Sequence, residues 1–168
     1  MTRRLLLLVL LLVVAVAGCQ SQTPTQRAWP AYSNEVKKIL GEYDEAMHKV
    51  SEIDVALTAP PSAGGTSLTA DSAVKQIEAD VIPKLDKIAT HAAAIQTPNS
   101  SRLTAMHRPL AEALAAKADA YKTMTKAFKD RDTALFDKGV AKLAQAGDQL
   151  AGFRKEFSTA VLEGGPRE

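Results

Sequence analysis

Apolar residues recur every three or four positions along most of the chain, and this spacing predicts four amphipathic helices. Between them the chain carries polar residues, Pro and Gly. The predicted core-facing positions, one helix after another, are Trp29, Tyr32, Val36, Ile39, Tyr43, Ala46, Val50, Ile53 and Leu57; Val74, Ile77, Val81, Leu85, Ile88, Ala92 and Ile95; Leu103, Met106, Leu110, Leu114, Tyr121, Met124 and Phe128; Phe136, Val140, Leu143, Gly147, Leu150, Phe153, Phe157 and Val161.

Capping and breaking residues mark the predicted helix ends. Thr69 is the expected N-cap of the second helix, which Thr97-Pro98 ends. Any residue of Asn99-Ser100-Ser101 can cap the third helix, and Asp132 is the expected cap of the fourth. Gly164-Gly165-Pro166 then ends the fourth helix, because Gly commonly follows a helix and Pro cannot continue one.

Three prolines predict local features. Pro30 suits the first turn of the first helix, where its missing N–H is no loss. Pro83 predicts a kink near Ala79–Pro83. Pro109 leaves two alternatives, a bend in the third helix or a short first turn followed by a restart at this residue.

Three glycines lie inside the fourth predicted helix, where each costs about 1 kcal/mol relative to Ala. One interpretation is compositional drift between Ala and Gly. The other is close backbone approach by a neighbouring helix, which only a residue without a side chain permits. The three residues are Gly139, Gly147 and Gly152.

Four helices of similar length, about 40–46 Å each, predict an all-α protein with an antiparallel four-helix bundle over residues 29–163. Two of the three connections are short, so they join antiparallel neighbours. The longer Pro-Gly loop over 58–67 leaves open a crossover instead of up-down-up-down order. Residues 19–28 are expected to form a flexible tether and residues 164–168 a short tail.

Before the tether, the chain has the pattern of an export signal over residues 1–18. Arg3 and Arg4 precede an uninterrupted apolar run from Leu5 to Ala17. A helix that spans a bilayer needs roughly 20 apolar residues, so this run is too short to remain as a membrane span.

The only cysteine stands at the end of this segment, in Val16-Ala17-Gly18-Cys19. This stretch resembles the lipobox of bacterial lipoproteins, and the resemblance implies diacylation of the Cys19 thiol and cleavage before it. Two or more acyl chains suffice for stable anchoring. The resemblance further implies outer-membrane placement, on the periplasmic side, in a host with two membranes, because Gln20 rather than Asp follows the cysteine. The remaining chain resembles, in layout only, small exported helical-bundle lipoproteins to which no activity is assigned.

Charge argues against a nucleic-acid partner. Removing Arg3 and Arg4 from the 21 basic residues leaves 19, equal to the 19 acidic residues, and no basic stripe is present. With Cys19 lipidated no thiol remains, so we expect neither disulfides nor cysteine-bound metal.

The sequence contains no recognisable catalytic motif, so we do not expect an enzyme. A di-iron bundle needs two Glu-x-x-His motifs, and only Glu45-Ala46-Met47-His48 matches. We therefore expect no metal site and no resident cofactor.

Two functions remain open at this point. The first is a non-enzymatic structural or interaction role for a membrane-anchored envelope lipoprotein that contacts another envelope protein. The alternative is a bundle that binds a small apolar molecule or haem, with a pocket near His107, Tyr121 and Met106. His48 and His91 are the other histidines available to haem, whereas the plain interpretation of His107 is a partly buried residue bonded to a neighbouring backbone group.

Overall fold

The computed structural model describes residues 22–58, 68–97 and 100–166. Within these ranges all regular structure is helical. Helix α1 is Pro24–Thr58, α2 is Ala70–Gln76, a π-helical segment is Ile77–Val81, α3 is Ile82–Ala94, α4 is Ser101–Asp130 and α5 is Thr133–Leu162. Helix α2, the π-helical segment and α3 follow one another without a break and form the second of four helical rods.

The four rods form an antiparallel bundle, as predicted. Helix α1 packs along the second rod, α3 along α4, and α4 along α5, so the order is up-down-up-down. A buried hydrogen bond of 2.8 Å between the Thr25 and Ser100 hydroxyls holds the first turns of α1 and α4 together. We call this end of the bundle, which also holds the last turn of α5, the lower end; the opposite end is the upper end.

One hydrophobic core runs between the rods, and most of the predicted faces of the first three helices line it. Its fully buried large side chains come from α1, the second rod and α4: Val36, Ile39, Val81, Leu85, Leu103, Met106, Leu110 and Leu114. At the upper end of α1 the prediction fails for Leu57, which is 41 % exposed.

The three predicted N-caps are confirmed. Thr69, Ser100 and Asp132 each accept a hydrogen bond from the backbone N–H three residues later, over 3.2, 3.0 and 2.9 Å. At the end of α5 the predicted glycine stop is also confirmed. Gly164 has a φ of 76°, and the Gly165 N–H donates to the Ala160 carbonyl over 2.8 Å.

The start of α1 differs from the prediction, since the helix begins at Pro24 and residues 24–28 of the expected tether are helical. The cause is a capping box. The Thr23 hydroxyl accepts the Gln26 N–H over 3.2 Å, and the Gln26 side chain accepts the Thr23 N–H over 3.1 Å. Pro24 therefore occupies the first helical position, and Pro30 lies inside the helix rather than in its first turn.

The interior prolines of the second rod and α4 behave differently. Where Pro83 predicted a distortion, the helix widens to the π-helical segment, and the Ile82 N–H reaches back five residues to the Ile77 carbonyl. Helix α4 continues through Pro109, so the alternative of a restart at this proline is wrong.

The upper half of α5 packs through small residues instead of its predicted stripe. Phe136 and Val140 are 37 % and 44 % exposed, whereas Gly139 is buried. A Cβ on Gly139 would lie 2.5 Å from the Met124 Cγ, so α5 approaches the α4 backbone closely here. A Cβ on Gly152 would have no other atom within 4 Å. Close approach of a neighbouring helix therefore explains Gly139 but not Gly152.

Candidate functional site

Of the residues expected at a ligand pocket, His107 has the most constrained environment. It is 8 % exposed, and its Nε2 lies 2.8 Å from the Ala92 carbonyl oxygen. A carbonyl only accepts, so Nε2 carries the proton and donates. Burial lowers the pKa of His107, partly offset by this hydrogen bond. The histidine therefore joins α4 to α3 through a backbone group, as its plain interpretation predicted.

Next to this ring lies Tyr32 of α1, in an edge-on arrangement with a centroid separation of 5.7 Å. Within the described residues, the Tyr32 hydroxyl and the His107 Nδ1 are buried and have no hydrogen-bond partner. Burial raises the pKa of Tyr32 above its usual range, with a smaller contribution from Glu156. Two unpaired polar atoms thus lie in the lower part of the core.

Tyr121 is not brought together with His107 and its chain neighbour Met106. Tyr121 is fourteen residues further along α4, about 21 Å along the helix axis. Its hydroxyl points to the Met47 sulfur at 4.0 Å, and burial raises its pKa to about 12. Met106 is buried in the core and contributes to an outer groove between α4 and α5. The pocket at these three residues stays a prediction. In the structure, Tyr121 lies in a different part of the core from His107 and Met106.

A mainly apolar groove of about 380 Å³ lies between α1 and α3. Tyr32 lines it, which places it on the outer side of the Tyr32–His107 contact. On its rim, the His91 Nε2 lies 3.2 Å from a Glu35 carboxylate oxygen. Small side chains form its walls, those of Ala28, Ala31 and Ala94. Its volume falls within the range of small-molecule sites.

Lys117 is a buried charge that the sequence analysis missed. It is 8 % exposed, and its Nζ lies 5.5 Å from the centroid of the Tyr43 ring. A signal was available, since Lys117 stands three residues after Leu114 and four before Tyr121, on the apolar stripe itself. The predicted stripe runs from Leu114 to Tyr121 without Lys117, because a charged residue is not expected on an apolar face.

Metal ligands, membrane-spanning helices and the expected lipidation site also bear on the class of site. In residues 22–58, 68–97 and 100–166, no group of three or more His, Cys, Asp or Glu side chains is placed to hold a metal ion. No helix within the same ranges combines the length and the apolar character needed to cross a membrane. Cys19, the expected lipidation site, lies outside the described residues.

Comparisons with known protein families, with curated proteins and with solved structures found no match to this chain.

Proposed function

We propose that the chain is an exported lipoprotein, anchored to a membrane by lipid on Cys19, whose bundle acts without catalysis as a structural or protein-interaction module in the cell envelope. The observation that carries the proposal is the lone cysteine directly after an apolar segment and Val16-Ala17-Gly18. In a host with two membranes, the outer membrane is the proposed location.

The position of α1 supports an orientation for the anchored protein. Cys19 precedes Pro24, the first residue of α1, by only five residues. A chain extends at most about 3.6 Å per residue, so this distance is at most about 18 Å. The lower end of the bundle would therefore lie close to the membrane surface, and the upper end, about 50 Å away along α1, would face away from it.

Exposed apolar side chains support the interaction role. Among the described residues, five of the seven exposed large hydrophobic residues lie at the upper end of the bundle, and exposed apolar surface is what a protein contact site requires. The five residues are Val55, Leu57, Phe128, Phe136 and Val140.

The anchor is tested by Cys19→Ala, with Ser21→Ala as the matched control. We expect the control to sediment with membranes and the Cys19 variant to become soluble, while circular dichroism shows equal helicity in both. Mass spectrometry of the membrane form should show a diacylglycerol on the new N-terminal cysteine. A Cys19→Ala protein that still sediments with membranes would refute the anchor.

The interaction role is tested by crosslinking in intact cells followed by purification from membranes. We expect a discrete crosslinked protein that is lost in the double variant Phe136→Gln/Val140→Gln and retained in Lys138→Gln, an exposed neighbour on α5. If the same species form in both variants, the upper end is not the contact surface.

The groove between α1 and α3 favours small-molecule binding as a second candidate function. Its apolar walls suit a small apolar molecule. Ala31→Phe, which places a ring in the groove, should abolish thermal stabilisation by such a ligand, while Ala93→Phe on the exposed side of α3 should not. The absence of stabilisation by apolar ligands, and of an absorbance band with added haem, would remove this candidate.

A further inference from the structure

Lys117 is a largely buried lysine that has no carboxylate partner among the described residues. Among the described residues its Nζ makes neither a hydrogen bond nor an ion pair, and its contact is with the face of the Tyr43 ring. Burial lowers the pKa of Lys117, and the nearby Arg154 lowers it further. Although the side chain as a whole is buried, the Nζ itself is not fully buried, so the aliphatic stem packs in the core while the amine stays within reach of solvent.

Its neighbours leave a net positive charge at this level. The Arg154 Cζ lies 5.7 Å from the centroid of the same Tyr43 ring, and one Arg154 nitrogen is paired with the Asp44 carboxylate. Two cations and one carboxylate therefore surround the ring. A single additional negative charge would balance them.

On the side of α5, the residue beside the amine has no side chain. Helices α1 and α5 meet mainly through side chains, whereas α4 and α5 are in close backbone contact. Gly147 of α5 stands beside Lys117, and a Cβ there would lie 3.9 Å from the Nζ. Residue 147 therefore contributes no side chain that could cover the amine.

We propose that Lys117 and Arg154, which both contact the ring of Tyr43, bind the carboxylate or phosphate group of a small anionic molecule at the junction of α1, α4 and α5. Lys117 supplies an ammonium without a competing partner. Arg154 keeps donors free beyond the nitrogen that contacts Asp44, because a guanidinium has five N–H groups. The proposal does not depend on lipid at Cys19.

The test is calorimetric titration of the full chain in detergent with inorganic phosphate and, separately, with acetate, at constant ionic strength maintained with chloride. The variants are Lys117→Met and, as the control, Lys138→Met, which removes an exposed lysine of α5. We expect saturable binding of at least one anion by the natural chain and by the control, and at least tenfold weaker binding by Lys117→Met. Phosphate and acetate distinguish the two ligand classes.

A natural chain that binds neither anion saturably, or a Lys117→Met protein that binds as well as the control, overturns the proposal. If Lys117→Met loses helicity, Gly147→Leu decides the question, because it retains the charge and covers the amine with a side chain. Binding lost in a helical Gly147→Leu protein supports the site, and unchanged binding in it overturns the site.

Discussion

Two glycines of α5 provide a matched test of how closely α4 and α5 pack. Gly152→Ala should raise the free energy of unfolding by about 0.5–1 kcal/mol, because Ala favours helix and the added Cβ meets nothing within 4 Å. Gly139→Ala brings the same helix preference, but its Cβ would lie 2.5 Å from the Met124 Cγ and 3.3 Å from the Met124 backbone nitrogen. Met124 can turn its side chain away, whereas its backbone cannot move without separating the helices.

Overpacking of this kind costs about 1–3 kcal/mol. The higher helix preference of Ala offsets part of this overpacking cost. Gly139→Ala should therefore lower the free energy of unfolding by about 1 kcal/mol. The two variants should then differ by about 2 kcal/mol, or about 4–8 °C in Tm. Urea and thermal unfolding monitored by circular dichroism measure both quantities. Equal stabilisation by the two substitutions would show that α5 does not approach α4 as closely as described.

Three other substitutions test single features. Arg131 has a φ of 55° at the end of α4, so Arg131→Gly should stabilise the protein by about 0.5–1 kcal/mol in urea titrations, and a loss of stability would contradict the left-handed geometry. Because the pKa of folded His107 is lowered, the unfolded chain binds the proton first. Stability should therefore fall as the pH drops below 6.5 and through the lowered value. His107→Gln, which keeps a donor for the Ala92 carbonyl, should flatten this dependence, and an unchanged profile would exclude His107 as its source. Tyr32→Phe removes a buried hydroxyl that has no hydrogen-bond partner in the part of the chain that the structure describes, and it should raise stability by about 1 kcal/mol. A loss of that size would mean that the hydroxyl has a partner.

The sequence predicts the helical rods well because large apolar residues at regular spacing determine which face is buried. From Trp29 to Ile53 all but one of the stripe positions of α1 are buried, with Val50 half-buried. The caps follow from short-range chemistry, since Thr69 and Asp132 bond to groups only three residues away. Local patterns of this kind can be recognised in the sequence without knowing which helix packs against them.

The failures occur where small or polar residues determine the packing. Hydrophobic spacing favours Phe136 and Val140 over Gly139 as the inner face of α5, but only the glycine allows the backbone of α4 to come near. The helix start at Pro24 is not predicted from the sequence, because the Ser, Thr and Gln residues around it suggest a tether. The spacing of Thr23 and Gln26 is nevertheless that of a capping box.

The candidate sites were less predictable than the fold. Distance along a helix separates His107 from Tyr121, and sequence spacing alone could have shown this. The environment of Lys117 depends on Tyr43 and Arg154, which come from two other helices. No local pattern brings these three residues together, so their grouping required the tertiary structure.

The two-residue connection between α4 and α5 has a consequence for the order of folding. These helices share the most extensive interface among the described residues, and the contacts next to their connection join residues that are near in sequence. Chain closure over short separations costs little entropy and is fast. We therefore expect α4 and α5 to form a helical hairpin first, onto which α1 docks late, and pulsed hydrogen exchange should protect the amides of Ala120 and Ala146 before those of Val36.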